Sequence, residues 1–269
     1  MSRGRRAVWR WSLAATALVV AGSTVVVAIL RAGAPPRPPG CIVNVGSASY
    51  PLDSSQAANA ATISSVAVRL RLSDHAVTVA LATALQESKL HNLSYGDRDS
   101  VGLFQQRPSQ GWGLHSQLLD PHFAATAFFS HLVHVPGWQT MSVADAAQAV
   151  QRSVDGSAYA GWESEARIIA QALTGEVPHG IACFYAKPDS TSRGLTAALV
   201  RDIGINAVGV PVPVKTGWMT ASWLVAQAAQ YSIDTVTFDG QRWTRSSGGW
   251  SSHRAPSVVN YSLMPSPGS

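Results

Sequence analysis

Residues 74–90 read DHAVTVALATALQESKL. Ser73 or Asp74 is a capping residue, and small and aliphatic residues then recur at helical spacing. Wound at about 100° per residue, Val77, Ala80 and Ala84 fall on one stripe, and Glu87 extends that stripe near the C-terminal end. A carboxylate on a buried stripe is desolvated, and a helix C-terminus disfavours negative charge. Both effects favour the protonated form that a general acid needs. The competing reading is a solvated Glu at a helix end, paired with Lys89 or another neighbour.

Helical spacing extends on both sides of this segment. Residues 56–71 place Ala60, Ile63, Ala67 and Leu70 on one face. Residues 92–100 are rich in Asn, Gly, Asp and Ser and read as a loop. Further helices are expected over 121–133, 142–153 and 158–173, the last ended by Gly175. Strand signals are few, so residues 44–185 read as an all-helical domain.

The N-terminal region has a different composition. Residues 1–40 contain six Arg and no acid, whereas residues 41–269 contain 14 basic residues and 15 acids, a net charge of −1. The overall charge of +5 therefore belongs to the N-terminus, and no basic groove remains for nucleic acid. Between Arg10 and Arg31 lie 20 uncharged residues, enough to span about 30 Å as a helix. With four Arg before it, residues 1–31 read as a single-pass anchor with a cytoplasmic N-terminus, the membrane contact running over 11–30. A cleaved signal peptide is the alternative. Either places the bulk of the chain outside the cytoplasm. Residues 32–43 form a Pro-rich spacer. Cys41 and Cys183, the two cysteines of the chain, bracket the helical region and are expected to pair in an oxidising compartment.

Two motifs carry a resemblance. Ala84-Leu85-Gln86-Glu87-Ser88-Lys89-Leu90 followed by Asp99-Ser100-Val101-Gly102-Leu103-Phe104-Gln105-Gln106 resembles the lytic transglycosylase and goose-type lysozyme family. In that family a catalytic Glu-Ser ends a helix, and a loop leads to Gly-Leu-x-Gln. A later Ala-Tyr-Asn-Ala-Gly element has a partial counterpart in Ala158-Tyr159-Ala160-Gly161, without the Asn. The stretch 86–113 is also similar to a group of membrane-anchored actinobacterial proteins with a lysozyme-like domain. The resemblance spans about half the chain.

It implies a mainly α, lysozyme-like fold, cleavage of the β-1,4 bond between N-acetylmuramic acid and N-acetylglucosamine, and peptidoglycan strands as the partner. It implies Glu87 as the acid/base, with no cofactor. Ser100, Gly102, Gln105 and Tyr159 carry over as substrate-binding or positioning groups. Trp112 offers a flat face for a sugar ring, or else belongs to the core. Glycosidases commonly use two carboxylates. Asp97 and Asp99 are the candidates for a second one, or are loop residues bonding their own backbone. His122, His131 and His134 read as packed or exposed helix histidines, so no metal is expected.

Residues 190–264 read as a small α+β module, with a helix over 218–231. Two strands, 235–238 and 241–244, flank Asp239-Gly240, a type I′ hairpin signal. The module vaguely resembles C-terminal domains appended to actinobacterial wall proteins, and a wall or protein partner is expected for it. The rival reading of the whole chain is a non-catalytic wall-binding or scaffold protein that keeps a lysozyme-like groove.

Overall fold

Asp53 caps the first helix of the computed structural model, which describes residues 38–153, 156–185, 194–204 and 207–265. Its carboxylate accepts from the Ser55 and Gln56 amides, and Gln56 Oε1 accepts from the Asp53 amide. This reciprocal capping box satisfies donors that a helix start leaves open. It fixes α1 (Ser54–Arg69). Ser73 caps α2 (Asp74–Ser88), whose residues Ala76–Leu85 are buried without a break. The single stripe expected there is therefore a helix enclosed on all sides.

Around α2 stand α4 (Pro121–Leu132), α5 (Val143–Gln151), α6 (Ser157–Ala160) and α7 (Glu163–Leu173), and the short α3 (His115–Leu118) packs on α4. The expected continuous helix over 158–173 is broken at Gly161 and Trp162 into α6 and α7.

The fold is α+β, which corrects the mainly α expectation. Among the described residues nine helices accompany seven strands in two antiparallel sheets, with 45% helical and 18% strand. The first sheet has the order β2 (Ala48–Leu52), β1 (Gly40–Val45), β3 (Ile181–Phe184). Strand β1 occupies the end of the expected spacer. Its partner β3 is four residues long and lies far along the chain, so the sheet leaves little local periodicity to read. Cys41 and Cys183 face each other in the β1–β3 register and form a disulfide.

Helices α8 (Leu195–Asp202) and α9 (Val214–Ala226) precede the second sheet. Its order is β6 (Trp250–Ser252), β5 (Gln241–Thr244), β4 (Ile233–Phe238), β7 (Asn260–Leu263). Asp239 and Gly240 both have positive φ, 48° and 75°, so the β4–β5 turn is type I′. Helix α9 packs on α1, α7, β3 and β4. A Cβ on its Gly217 would collide with the Phe238 ring.

The second sheet is tied to the first. The Trp243 indole donates to the Cys183 carbonyl (3.0 Å), and the Trp250 indole to the Ile181 carbonyl (2.8 Å). Tyr185 Oη donates to the carbonyls of Val225 and Ala226 at the end of α9. Pro38–Ser269 forms one compact unit.

A membrane-spanning helix is not among these elements. Among the described residues no helix is long and apolar enough to cross a membrane. The span expected over 11–30, with its anchor or signal-peptide reading, and residues 32–37 of the Pro-rich spacer lie outside the described residues.

The disulfide closes a loop of 142 residues. In the chain-entropy account, so long a loop raises stability by roughly 4–5 kcal/mol, and removal of native disulfides commonly costs about 2–5 kcal/mol. Replacing both Cys41 and Cys183 by Ser is therefore expected to lower the unfolding free energy by at least about 2 kcal/mol. Urea denaturation of the oxidised and double-Ser proteins checks this, and equal midpoints would contradict it.

Candidate functional site

The last turn of α2 is where a buried helix meets solvent. Gln86 and Glu87 are half-buried there, while Ser88 is buried. The helix ends abruptly because Lys89 and Leu90 both take left-handed backbone angles, φ 54° and 63°. The Leu90 amide reaches back to the Ala84 carbonyl (3.1 Å) and the Lys89 amide to that of Leu85 (3.1 Å). Non-glycine residues in this region cost about 1–2 kcal/mol each, so the surrounding packing must hold the turn in place.

Ser88 supplies part of that hold. Its hydroxyl donates to the Leu103 carbonyl (2.7 Å), which fastens the helix end to the segment 101–106. That segment closes on itself through an antiparallel bridge between Val101 and Gln106. Gly102, at φ 79°, donates its amide to the Leu93 carbonyl (2.7 Å). A Cβ there would run into the Leu118 carbonyl oxygen, so the backbone approach excludes any other residue. Gln105 is half-buried, and its side-chain Nε2 donates to the carbonyls of Tyr95 (3.3 Å) and Gly102 (3.2 Å). Gly102 and Gln105 thus brace the loop that follows α2. Ser100 is buried in the same loop, with its amide donating to the Asp97 carbonyl.

Residues of α6 and the start of α7 meet the end of α2. Tyr159 Oη donates to Glu87 Oε1 at 2.7 Å, across 72 residues of sequence. Tyr159 is buried. Burial first, and the bond to Glu87 second, push its phenol well above the ordinary value, so it remains a donor at every physiological pH. The Trp162 indole donates to Gln86 Oε1 (2.8 Å), and Lys89 Nζ lies 4.0 Å from the Trp162 ring centroid. Sequence reasoning missed Gln86 and Trp162 as partners. The available signal was an aromatic residue at the break between two helices, directly after Gly161.

The two loop carboxylates differ. Asp97 is almost wholly exposed, with Arg98 Nε 3.8 Å from its carboxylate. Asp99 accepts from Arg107 Nε (2.8 Å), the Ser109 amide (2.8 Å) and the Ser109 hydroxyl (3.0 Å). The Ser109 amide, and then Arg107, hold its carboxyl far below the ordinary range. Asp99 is a clasp that fixes the loop, with its lone pairs already engaged.

Trp112 stands elsewhere. Its ring lies against that of His131 in α4, centroids 3.9 Å apart. With Gln110, Val150, Gln151 and Arg152 it lines a cleft of about 320 Å³. His122 points toward Asp202 (Nε2 to Oδ1, 3.8 Å), away from a shared centre with His131 and His134. Among the described residues no group of three or more His, Cys, Asp or Glu could hold a metal ion.

The chain matches no protein-family profile and no curated protein. The site therefore rests on its own geometry.

Asp99 gives a pH-dependent test of the loop. A carboxyl whose folded value is depressed contributes stability above its unfolded value, near 4, and loses it as pH falls toward the folded value. Asp99→Asn is expected to melt at a lower temperature than the wild type from pH 7 down to about 4. Below that, the gap is expected to shrink. A gap that is absent at pH 7, or that grows on acidification, would contradict the clasp.

Proposed function

We propose that this protein cleaves peptidoglycan glycan strands at the β-1,4 bond between N-acetylmuramic acid and N-acetylglucosamine, with Glu87 as the single acid/base. The observation that carries the reading is the 2.7 Å hydrogen bond from Tyr159 to Glu87. It joins the Glu-Ser motif to the Tyr element that follows it in the resembling family. A buried tyrosine that stays protonated holds one carboxylate oxygen and leaves the other for substrate.

Glu87 in its acid form donates a proton to the glycosidic oxygen. The bond from that oxygen to the muramic C1 breaks, and the sugar's acetamido group helps to stabilise the developing oxocarbenium charge. Glu87, now a carboxylate, takes a proton from the same sugar's 6-hydroxyl, whose oxygen bonds C1 to give an anhydro product. Water in place of that hydroxyl gives hydrolysis. The engagement of Asp99 by Arg107 and Ser109 supports a route that needs only one carboxylate. Tyr159 acts as a positioning residue, since it touches Glu87 and not the reacting atoms. The Cys41–Cys183 disulfide supports an oxidising, extracytoplasmic location.

Release of soluble muropeptides from purified peptidoglycan, read by mass spectrometry, tests this. Glu87→Gln should lower release by about 10²–10⁴-fold, the range for a general acid/base. Products one water lighter than the hydrolysed muropeptides would mark the internal 6-hydroxyl route. Tyr159→Phe should lower kcat by about tenfold with KM little changed, as expected when a group acts on the catalytic carboxyl instead of on substrate binding. If the wild type releases nothing yet still pellets with the wall, the proposal fails and the non-catalytic wall-binding reading replaces it.

A further inference from the structure

We propose that Trp162 is a positioning residue that holds the Lys89 ammonium away from Glu87, and so lets Glu87 keep the proton that an acid must donate. The consequence rests on the Glu87 reading; the contact itself does not.

Trp162 engages both sides of Glu87 in sequence. Its indole N–H donates to Gln86 Oε1 (2.8 Å), and Lys89 Nζ lies over its ring, 4.0 Å from the centroid. Gln86 directly precedes Glu87, and Lys89 follows it by two residues. The break between α6 and α7 brings the ring there. The Trp162 amide donates to the Tyr159 carbonyl (3.1 Å), and this tight turn presents both aromatic side chains to the end of α2. The backbone of Lys89 is pinned in turn. Its left-handed φ of 54°, the bond from its amide to the Leu85 carbonyl and the bond from Gln56 Nε2 to its own carbonyl (2.8 Å) fix where its side chain begins.

An exposed lysine two residues from a half-buried carboxylate is drawn to it by charge. Yet among the described residues no ion pair joins Lys89 to Glu87. The negative face of the indole takes the ammonium instead, and Trp is the aromatic side chain best suited to that. The difference matters because a cation beside a carboxylate favours its ionised form, whereas a general acid needs the protonated one. The other charged groups of the adjoining elements are engaged. Asp53 faces His91 at the start of α1, Glu163 pairs with Arg167 along α7, and in the loop Asp97 and Asp99 face Arg98 and Arg107. Arg152, at the end of α5, lines the cleft beside Trp112, and His131 and His134 of the α4 end set Nδ1 on backbone carbonyls. Tyr159 reaches Glu87 from α6 as a neutral donor. Lys89 is thus the cation that Glu87 would acquire if the ring were lost.

The test follows the Glu87 carboxyl directly and needs no catalysis. The chain has four glutamates. With 13C at their side-chain carboxyls, the Glu87 signal is the one lost in Glu87→Gln, and its titration midpoint is read by NMR on the full oxidised chain. In Trp162→Leu that midpoint should fall by about 0.5–1 pH unit, the scale of one partly exposed ion pair. Trp162→Phe, whose ring holds a cation less strongly, should give a smaller fall. Adding Lys89→Gln to either variant should bring the midpoint back to that of the wild type, which would not happen if lost packing or the lost Gln86 bond were the cause. Lys89→Gln alone should move it by less than about 0.3 unit, because a solvated charge held at a distance is screened. An unmoved midpoint in both ring variants, or a fall that persists once Lys89 is replaced, overturns the proposal. If Trp162→Leu does not fold, Trp162→Phe with and without Lys89→Gln decides. Muropeptide release is measured alongside, and its alkaline limb should shift to lower pH with the midpoint. A wild type that releases nothing, while the midpoint falls and returns as stated, sinks the Glu87 reading and leaves the capture of Lys89 standing.

Discussion

The helices of the described residues are arranged around the enclosure of α2. A helix buried from Ala76 to Leu85 can carry no charge along that length, and its alanines let neighbouring helices come close. Its polar chemistry is confined to its two ends, with Asp74 paired to Lys215 at the start and a polar turn where it emerges. Gln86, Glu87 and Ser88 stand there, and each is bound by a different structural element: Trp162 for Gln86, Tyr159 for Glu87, Leu103 for Ser88. Glu87 is thus held by a rigid core on one side and by two loops on the other.

The loops are themselves held by unusual backbone. Lys89, Leu90, Arg98, Gln105 and Arg152 all have positive φ without being glycine. These residues fall at the end of α2, in the loop after it, and at the end of α5, while Arg71, His179, Ser232 and Asp239 share the trait elsewhere. Each marks a place where packing overrides local preference. Asp99, with Arg107 and Ser109, turns the longest of these loops into a fixed wall.

The second sheet is joined to the helical core by side chains that satisfy buried backbone. The indoles of Trp243 and Trp250 bind carbonyls of β3, and Tyr185 closes the end of α9. Strand β3 therefore serves three ends at once. It completes the first sheet, carries Cys183 of the disulfide, and anchors the second sheet. Four residues do this, which is why the C-terminal region packs onto the helices instead of trailing behind them.

Local rules were enough for what is local. The span of α2 from Asp74, its Ser73 cap, the position of Glu87 at its end, and the type I′ turn at Asp239-Gly240 are all written within a few neighbouring residues. Capping, 3.6-residue periodicity and turn chemistry act at that range. The meeting of Tyr159 with Glu87, the pairing of β1 with β3, and the capture of Asp99 by Arg107 and Ser109 were settled by tertiary structure alone. Gly102 shows the division within one residue. Its place in a motif was visible, but the reason for it, the Leu118 carbonyl beside its Cα, exists only once the chain has folded. Hydrogen bonds and close packing between distant residues carry no periodic trace in the chain, because what fixes them is the shape that the local elements take together.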